Sequence, residues 1–280
     1  MERIKQAMER ARQEREAGTT GTVDTGSTID PARLPLEAGN DGAGAPPHIS
    51  YTQTRIVRVD PQVLQRNRVI SGTSDPAVVD AYRMLRTRVL QRMHEKGWRS
   101  LAITSAGPSE GKTLTAVNLA LSLAMDVNHT VMLVDLDLRR PSVHRLFGYE
   151  PKVGVADYLF SDIPMSSVLF TPSVERLVVL PGGTKLDNSS EMLSMPRTRE
   201  MVEDITKYYP ERIVLFDLPP ILMVDDALAF APFVDAFMLV VEEGETAKPA
   251  LKQATELLKN TNLLGTVLNK GDHRGKYYDY

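Results

Sequence analysis

From about residue 100 onward, short apolar runs alternate with stretches in which apolar residues recur at helical spacing. Continuous apolar runs rich in β-branched residues are typical of strands buried on both faces of a parallel sheet. We predict strands at 101–105, 130–135, 177–180, 213–217, 236–241 and 263–269. The intervening patterns predict helices at 112–126, 140–147, 153–160, 191–208, 225–232 and 247–261. This alternation predicts an α/β fold, a parallel β-sheet with helices on both faces.

The first 74 residues show a different pattern. Residues 1–16 are strongly charged with a thin apolar stripe, and residues 17–50 are rich in Gly, Thr, Pro and Ala. Such a composition buries too little apolar surface to offset its ordering entropy, so we predict a flexible N-terminal arm over 1–74. The sequence Ser74-Asp75-Pro76 is a helix-start signal. We therefore expect a folded domain at 75–271, opened by a helix, and a separate tail at 272–280.

Composition narrows the class of protein. A formal net charge of -3 and a pI near 6.0 give no general attraction to nucleic acid. The absence of cysteine excludes disulfides and thiolate metal sites and fits a reducing compartment. No apolar run approaches the ~20 residues that span a bilayer, and the N-terminus lacks the apolar core of a signal peptide. We expect a cytoplasmic protein.

A phosphate-binding loop is the clearest chemical motif in the chain. It reads Ala106-Gly107-Pro108-Ser109-Glu110-Gly111-Lys112-Thr113, follows a predicted strand and leads into a helix at Leu114. A loop that closes onto a helix N-terminus directs backbone N–H groups and the positive end of the helix dipole at one point. Lys112 can reach the β- and γ-phosphates, and the Thr113 hydroxyl can ligate Mg²⁺. The motif predicts binding of a nucleoside triphosphate.

Carboxylates follow two other predicted strands. Asp135 and Asp137 end the run at 131–135 two residues apart, which points both side chains to one side of the sheet. Like charges at that spacing are unfavourable unless they share a cation or a substrate proton, and a nucleotide-bound Mg²⁺ would supply the cation. Asp217 ends the run at 213–217 as the aspartate of a Walker B strand does. A turn with helix-capping aspartates is the alternative for the first pair.

These motifs together resemble one family. A phosphate loop, a strand followed by D-L-D-L-R-R-P and a strand followed by D-L-P-P occur in this order in the bacterial tyrosine kinases of polysaccharide synthesis and export, the BY-kinases. The resemblance covers residues 75–280 and looks strongest to the stand-alone kinases of exopolysaccharide loci in Gram-negative bacteria. It implies a P-loop NTPase-type fold and a non-specific protein-tyrosine kinase that uses ATP and Mg²⁺.

The resemblance also implies roles for single residues. Lys112 and Thr113 would hold the phosphates and Mg²⁺. Asp137 and Asp217 would organise Mg²⁺, and Asp135 would lie near the attacking tyrosine hydroxyl as base or orienter. Further residues follow from the same resemblance: Asn269 as an adenine contact, Tyr277, Tyr278 and Tyr280 as phosphoacceptors in a mobile tail, and Asp80, Arg83 and Arg86 as an oligomerisation stripe on one helix face. Aspartate at 80 replaces the family's glutamate.

Two other functions remain open at this stage. Cell-division and partition ATPases share the fold, but they carry a second lysine early in the phosphate loop, where this chain has Ala106, Gly107 and Pro108. A nucleotide-bound regulatory partner of a polysaccharide transporter, without catalysis, is the second alternative. For the kinase, the resemblance implies a homo-oligomeric ring and a tyrosine phosphatase that acts on it. It also implies a membrane polysaccharide co-polymerase as activator, which would hold the cytoplasmic chain beside the inner membrane.

Overall fold

The computed structural model describes residues 54–207 and 211–271. Eight strands form one sheet in the order β1-β4-β5-β3-β6-β2-β7-β8. The strands are β1 (Arg55–Ile56), β2 (Ser100–Ser105), β3 (Thr130–Asp135), β4 (Phe170–Thr171), β5 (Leu177–Leu180), β6 (Arg212–Asp217), β7 (Ala236–Glu242) and β8 (Leu263–Asn269). The six predicted strands are all present, and most neighbouring pairs are parallel.

Helices cover both faces of the sheet. They are α1 (Pro61–Arg66), α2 (Pro76–Lys96), α3 (Lys112–Ala124), α4 (Val143–Leu146), α5 (Val155–Phe160), α6 (Met165–Val168), α7 (Ser189–Leu193), α8 (Pro196–Lys207), α9 (Asp226–Phe230) and α10 (Lys248–Leu257). Alternate residues of each central strand enter two separate cores, as the two-residue period of a strand requires. Leu101 and Ile103 pack with α2, α3 and α4, whereas Ala102 packs with α5 to α10. The fold is therefore a three-layer α/β sandwich.

The sheet is mostly parallel, as predicted, with one antiparallel pair at its edge. The short strands β1 and β4 were not predicted, and β4 runs antiparallel to β5. Both are two residues long, too short to show a period in the sequence. The predicted helix at 191–208 is likewise two helices, α7 and α8, because Pro196 lacks the N–H that a continuous helix needs at that position.

The folded body begins earlier than the predicted boundary at residue 75. Val69 is 1% exposed, and the backbone N–H of Ile70 donates to the Asn118 side chain of α3 at 2.9 Å. Since β1 also pairs with β4 of the sheet, the residues from β1 onward belong to the domain. Helix α2 begins where expected, with Asp75 capping its first turn through Ala77 N–H. Residues 1–53 of the predicted arm and the tail at 272–280 lie outside the described residues. None of the helices in the described part of the chain is long and apolar enough to cross a membrane.

Candidate active site

The phosphate loop joins β2 to the first turn of α3. Ser109 has φ 62° and Gly111 has φ 91°, so two residues of the loop lie in the left-handed region. A side chain at Gly111 would also overlap the amide of Asn269. Glycine is therefore required at this position both by the backbone conformation and by the close approach of β8. The free N–H groups at the start of α3 make this turn suited to an anion such as a phosphate.

Strand register brings the predicted acidic residues to the loop. Asp135 and Asp217 are direct neighbours at the ends of β3 and β6, and Asp217 lies beside Ile103 of β2. The Lys112 ammonium is 2.8 Å from an oxygen of Asp137 and 3.2 Å from an oxygen of Asp217. The Thr113 hydroxyl donates to the other oxygen of Asp217 at 2.7 Å. The structure thus joins five predicted site residues into one buried cluster.

Asp135 lies deepest in this cluster and is fully buried. One carboxylate oxygen accepts the backbone N–H groups of Ser142 at 2.8 Å and Val143 at 3.0 Å, and the other accepts the N–H of Asp137 at 3.2 Å. Burial, together with the charge of Asp217, raises the pKa of Asp135 to about 8, although the N–H donors and Lys112 oppose the shift. Asp135 is therefore able to carry a proton near neutral pH.

The charges of the cluster are out of balance. Burial would lower the pKa of Lys112, but Asp217, Asp137 and Asp135 together raise it, so the ammonium stays charged. Burial also raises the pKa of Asp217, an effect that Lys112 and the Thr113 hydroxyl partly offset. Three carboxyl groups surround one ammonium, and Asp135 and Asp217 hold protons more strongly than free carboxyl groups do. A further cation would balance the negative charge that appears when they lose those protons.

The donor set suits magnesium. Carboxylate and hydroxyl oxygens are the ligands that Mg²⁺ prefers, and it is commonly held by one or two carboxylates completed by water and substrate phosphates. No group of three acidic or histidine side chains within residues 54–207 and 211–271 could hold a metal ion without other ligands. A magnesium site completed by the oxygens of a nucleotide is compatible with this arrangement.

Loops from neighbouring strands hold the cluster in place. The Thr104 hydroxyl of β2 donates to the carbonyl of Pro219 at 2.7 Å, which fixes the segment after Asp217. The segment after Asp137 packs through Pro141 against Gly182, where a larger residue would not fit. These contacts tie the ends of β2, β3, β5 and β6 into one rigid edge.

Comparisons with known proteins agree on one assignment. The family described as AAA domain (AAA_31) matches residues 99–270. The tyrosine-protein kinase YwqD of Bacillus subtilis (strain 168) is 33% identical over 219 residues, which cover 78% of this chain and 91% of YwqD. The chain belongs to the BY-kinase family.

Two other relatives differ in length. The kinase domain of the Escherichia coli tyrosine kinase ETK superposes with a TM-score of 0.65 at 27% identity, over 81% of this chain and 93% of that domain. The succinoglycan biosynthesis transport protein ExoP of Rhizobium meliloti (strain 1021) is 29% identical over 76% of this chain. The match spans only 28% of ExoP, so ExoP has a large part with no counterpart here.

The predicted oligomerisation stripe lies on α2 of this BY-kinase. Asp80 and Arg83 pair with each other at 2.9 Å, and their side chains are 61% and 57% exposed. Arg86 instead donates to the carbonyl of Ser122 on α3 at 2.9 Å. Two of the three residues are thus exposed on α2, whereas the third holds α2 to α3.

Asn269 lies at the phosphate loop, where its side-chain amide donates to the carbonyl of Glu110 at 2.8 Å. The predicted phosphoacceptors Tyr277, Tyr278 and Tyr280 lie outside the described residues. Sequence reasoning also assigned no role to a buried network beside the cluster. There, Asp226 accepts hydrogen bonds from Arg139 and from the Ser189 hydroxyl. The sequence signal for this network is Asp226 itself, a few residues after the D-L-P-P segment. Its partners could not be predicted because they are distant in sequence.

The raised pKa of Asp135 predicts how stability depends on pH. The folded chain binds more protons than the unfolded chain between the ordinary value of 3.8 and about 8, so stability is highest at low pH in this window and falls as pH rises. We expect the nucleotide-free chain to lose up to about 1 kcal/mol per pH unit between about pH 5.5 and 8. Thermal and urea unfolding across that range would measure the slope.

Asp135→Asn should reduce the slope of stability against pH and raise the free energy of unfolding at pH 8. The slope that remains would come from Asp217, whose pKa is also raised. Glu175→Gln provides a matched control because its side chain is 91% exposed. A slope that Asp135→Asn leaves unchanged would show that Asp135 has an ordinary pKa.

Proposed function

We propose that this chain is a Mg²⁺-ATP-dependent protein-tyrosine autokinase that regulates exopolysaccharide polymerisation or export. The observation that carries the proposal is the buried cluster of Lys112 and Thr113 with Asp135, Asp137 and Asp217, set on a phosphate loop in a chain of the BY-kinase family. Phosphoryl transfer needs charge neutralisation and in-line positioning more than covalent chemistry, and Lys112 together with a bound Mg²⁺ would supply the first.

Each residue of the cluster has a defined part in the proposal. The phosphate loop, residues 106–113, and Leu114 would bind ATP, with Lys112 turning from its carboxylate partners toward the β- and γ-phosphates. Mg²⁺, when bound, would neutralise charge that develops on the transferred phosphoryl group. Thr113, Asp137 and Asp217 would hold it. Asn269, beside the loop, would contact the adenine.

Asp135 would orient the tyrosine hydroxyl, or accept its proton once binding of Mg²⁺ and nucleotide has displaced the proton that its raised pKa retains in the nucleotide-free chain. A phenol with a pKa near ~10 becomes a better nucleophile when a carboxylate takes its proton during bond formation. Asp135 is buried beneath the backbone N–H groups of Ser142 and Val143. A substrate tyrosine would therefore reach it only if the segment at 139–143 moves aside.

The tail tyrosines provide the direct test. After incubation with Mg²⁺-ATP, mass spectrometry should find phosphate on Tyr277, Tyr278 and Tyr280 of the parent chain. A variant with all three tyrosines changed to phenylalanine should carry none of it while still binding nucleotide. Steady ATP hydrolysis with unmodified tyrosines would favour an ATPase switch instead. Nucleotide binding without either reaction, even with a membrane activator added, would favour a non-catalytic regulator.

Partners follow from the same proposal. A homo-oligomeric ring would bring the tail of one subunit to the site of the next, with Asp80 and Arg83 on the exposed face of α2 and Arg86 beside them. The similarity to part of a polysaccharide transport protein supports a membrane co-polymerase as activator, which would hold the cytoplasmic chain at the inner membrane. A tyrosine phosphatase would reverse the modification. The N-terminal arm would be the segment that docks onto the membrane activator. A truncation that tests this docking should remove no residue beyond 53, because β1 belongs to the sheet.

A further inference from the structure

Glu110 is a buried acidic residue in the middle of the phosphate loop, and the proposed contacts with ATP give its side chain no role. Its side chain is only 7% exposed. One carboxylate oxygen accepts a hydrogen bond of 2.7 Å from the hydroxyl of Thr246, in the loop between β7 and α10. Its backbone carbonyl accepts the bond from Asn269 at the end of β8. Glu110 is thus held by the β7–α10 loop and by the end of β8.

Burying this carboxylate is unfavourable. Its second oxygen is buried and has no hydrogen-bond partner among the described residues. A buried acceptor without a partner costs free energy and is uncommon in folded proteins. A glutamate here also places negative charge in a loop whose ligand is an anion. Folding stability therefore does not explain why a glutamate occupies this position.

The hydroxyl of Thr246 is fixed in direction. It accepts the backbone N–H of Glu242 at 2.8 Å, so its own proton is available for Glu110. The N–H of Thr246 closes the same turn by donating to the carbonyl of Glu242 at 3.1 Å. The hydrogen bond to Glu110 therefore comes from a turn that is already ordered by β7.

Glu110 lies between the two left-handed residues of the loop, Ser109 and Gly111. A non-glycine residue such as Ser109 is held in that conformation only by its surroundings. We propose that Glu110 and Thr246 are positioning residues that hold the phosphate loop in its nucleotide-binding conformation. This inference rests on the proposed nucleotide binding and assigns to the β7–α10 loop a part in it.

The test measures Mg²⁺-ADP binding by calorimetry in the full chain, at a temperature where circular dichroism shows each variant to be folded. Thr246→Val removes the hydroxyl and keeps the shape, and we expect its Kd to rise about tenfold. Glu110→Ala should have a similar effect. The double variant should bind no more than about twofold more weakly than either single variant, since both remove one interaction.

Conservative variants separate positioning from general damage. Thr246→Ser and Glu110→Gln keep the donor and the acceptor, and each should bind within about threefold of the parent. Thr255→Val is the matched control, because the Thr255 hydroxyl bonds only to carbonyls of its own helix. In the kinase assay, Thr246→Val should raise KM for ATP about tenfold and change kcat less than about threefold.

Several results would overturn the inference. The inference fails if Thr246→Val binds Mg²⁺-ADP as tightly as the parent. It also fails if the increase in Kd of the double variant equals the product of the increases of the two single variants. If Glu110→Ala does not fold, the comparison of Thr246→Val with Thr246→Ser decides. A parent chain that binds no Mg²⁺-ADP would overturn the proposed function together with this inference. A parent that binds, with variants that bind equally well, would overturn the inference alone.

Discussion

Lys112→Met is expected to abolish tyrosine phosphorylation, with a fall in rate of at least about a thousandfold. The Lys112 ammonium is the positive charge of the cluster and lies within 3.2 Å of Asp137 and Asp217. Methionine has a similar length and no charge, so the site would lose the donor that stabilises charge on the phosphates. It would also leave the carboxylates to repel both one another and the nucleotide.

Phosphotyrosine mapped by mass spectrometry at single turnover measures this effect. The variant should stay folded, because the uncompensated carboxylates can take up protons instead of remaining charged. Lys252→Met is a matched control on the exposed side of α10 and should phosphorylate at the rate of the parent. Tail phosphorylation by Lys112→Met within about tenfold of the parent would refute the role given to this lysine.

Asp217→Asn should reduce phosphoryl transfer by about a hundred- to a thousandfold and weaken its dependence on Mg²⁺. The substitution keeps the shape of the side chain and an oxygen to accept the Thr113 hydroxyl bond. It removes the charge that attracts both Lys112 and a divalent cation. Titration of activity with Mg²⁺ should therefore show a lower plateau and a midpoint at higher concentration.

Asp235→Asn is the matched control for this substitution. Asp235 accepts the backbone N–H groups of Arg99 and Ser100 together with the Ser100 hydroxyl, at the opposite end of the sheet. Its loss should lower the melting temperature while leaving kcat and the Mg²⁺ midpoint close to those of the parent. If both variants lost activity to the same degree, the effect of Asp217 would be one of folding, not of chemistry.

The central sheet could be predicted from the sequence because each of its inner strands is buried on both faces. That burial leaves continuous apolar runs, and the residues that end them, Asp135 and Asp217, fall at one edge by the geometry of parallel strands. The phosphate loop was predictable for a similar reason, since its chemistry requires consecutive residues. Local pattern and global fold agree in this part of the chain.

What escaped prediction depends on contacts between distant residues. The segment before α2 shows no clear period, yet Val69 is buried because α3 and the sheet lie against it. The hydrogen bond from Thr246 to Glu110 joins residues 136 positions apart. Neither a threonine nor a glutamate in the sequence indicates which residue it will contact. The antiparallel pairing of β4 with β5 depends on where the chain returns to the sheet, which a two-residue strand cannot encode.

The position of the end of β8 limits how far Tyr277 can lie from the phosphate loop. Because Asn269 contacts the phosphate loop, the chain leaves the sheet beside the active site, and the stretch from Asn269 to Tyr277 spans at most about 28 Å even when fully extended. Under the proposed function, a tail tyrosine this close in sequence to the site would have an effective concentration of about 1 mM there. Transfer between subunits would compete with this local supply, so a ring would have to withhold each subunit's own tail as well as present a neighbour's.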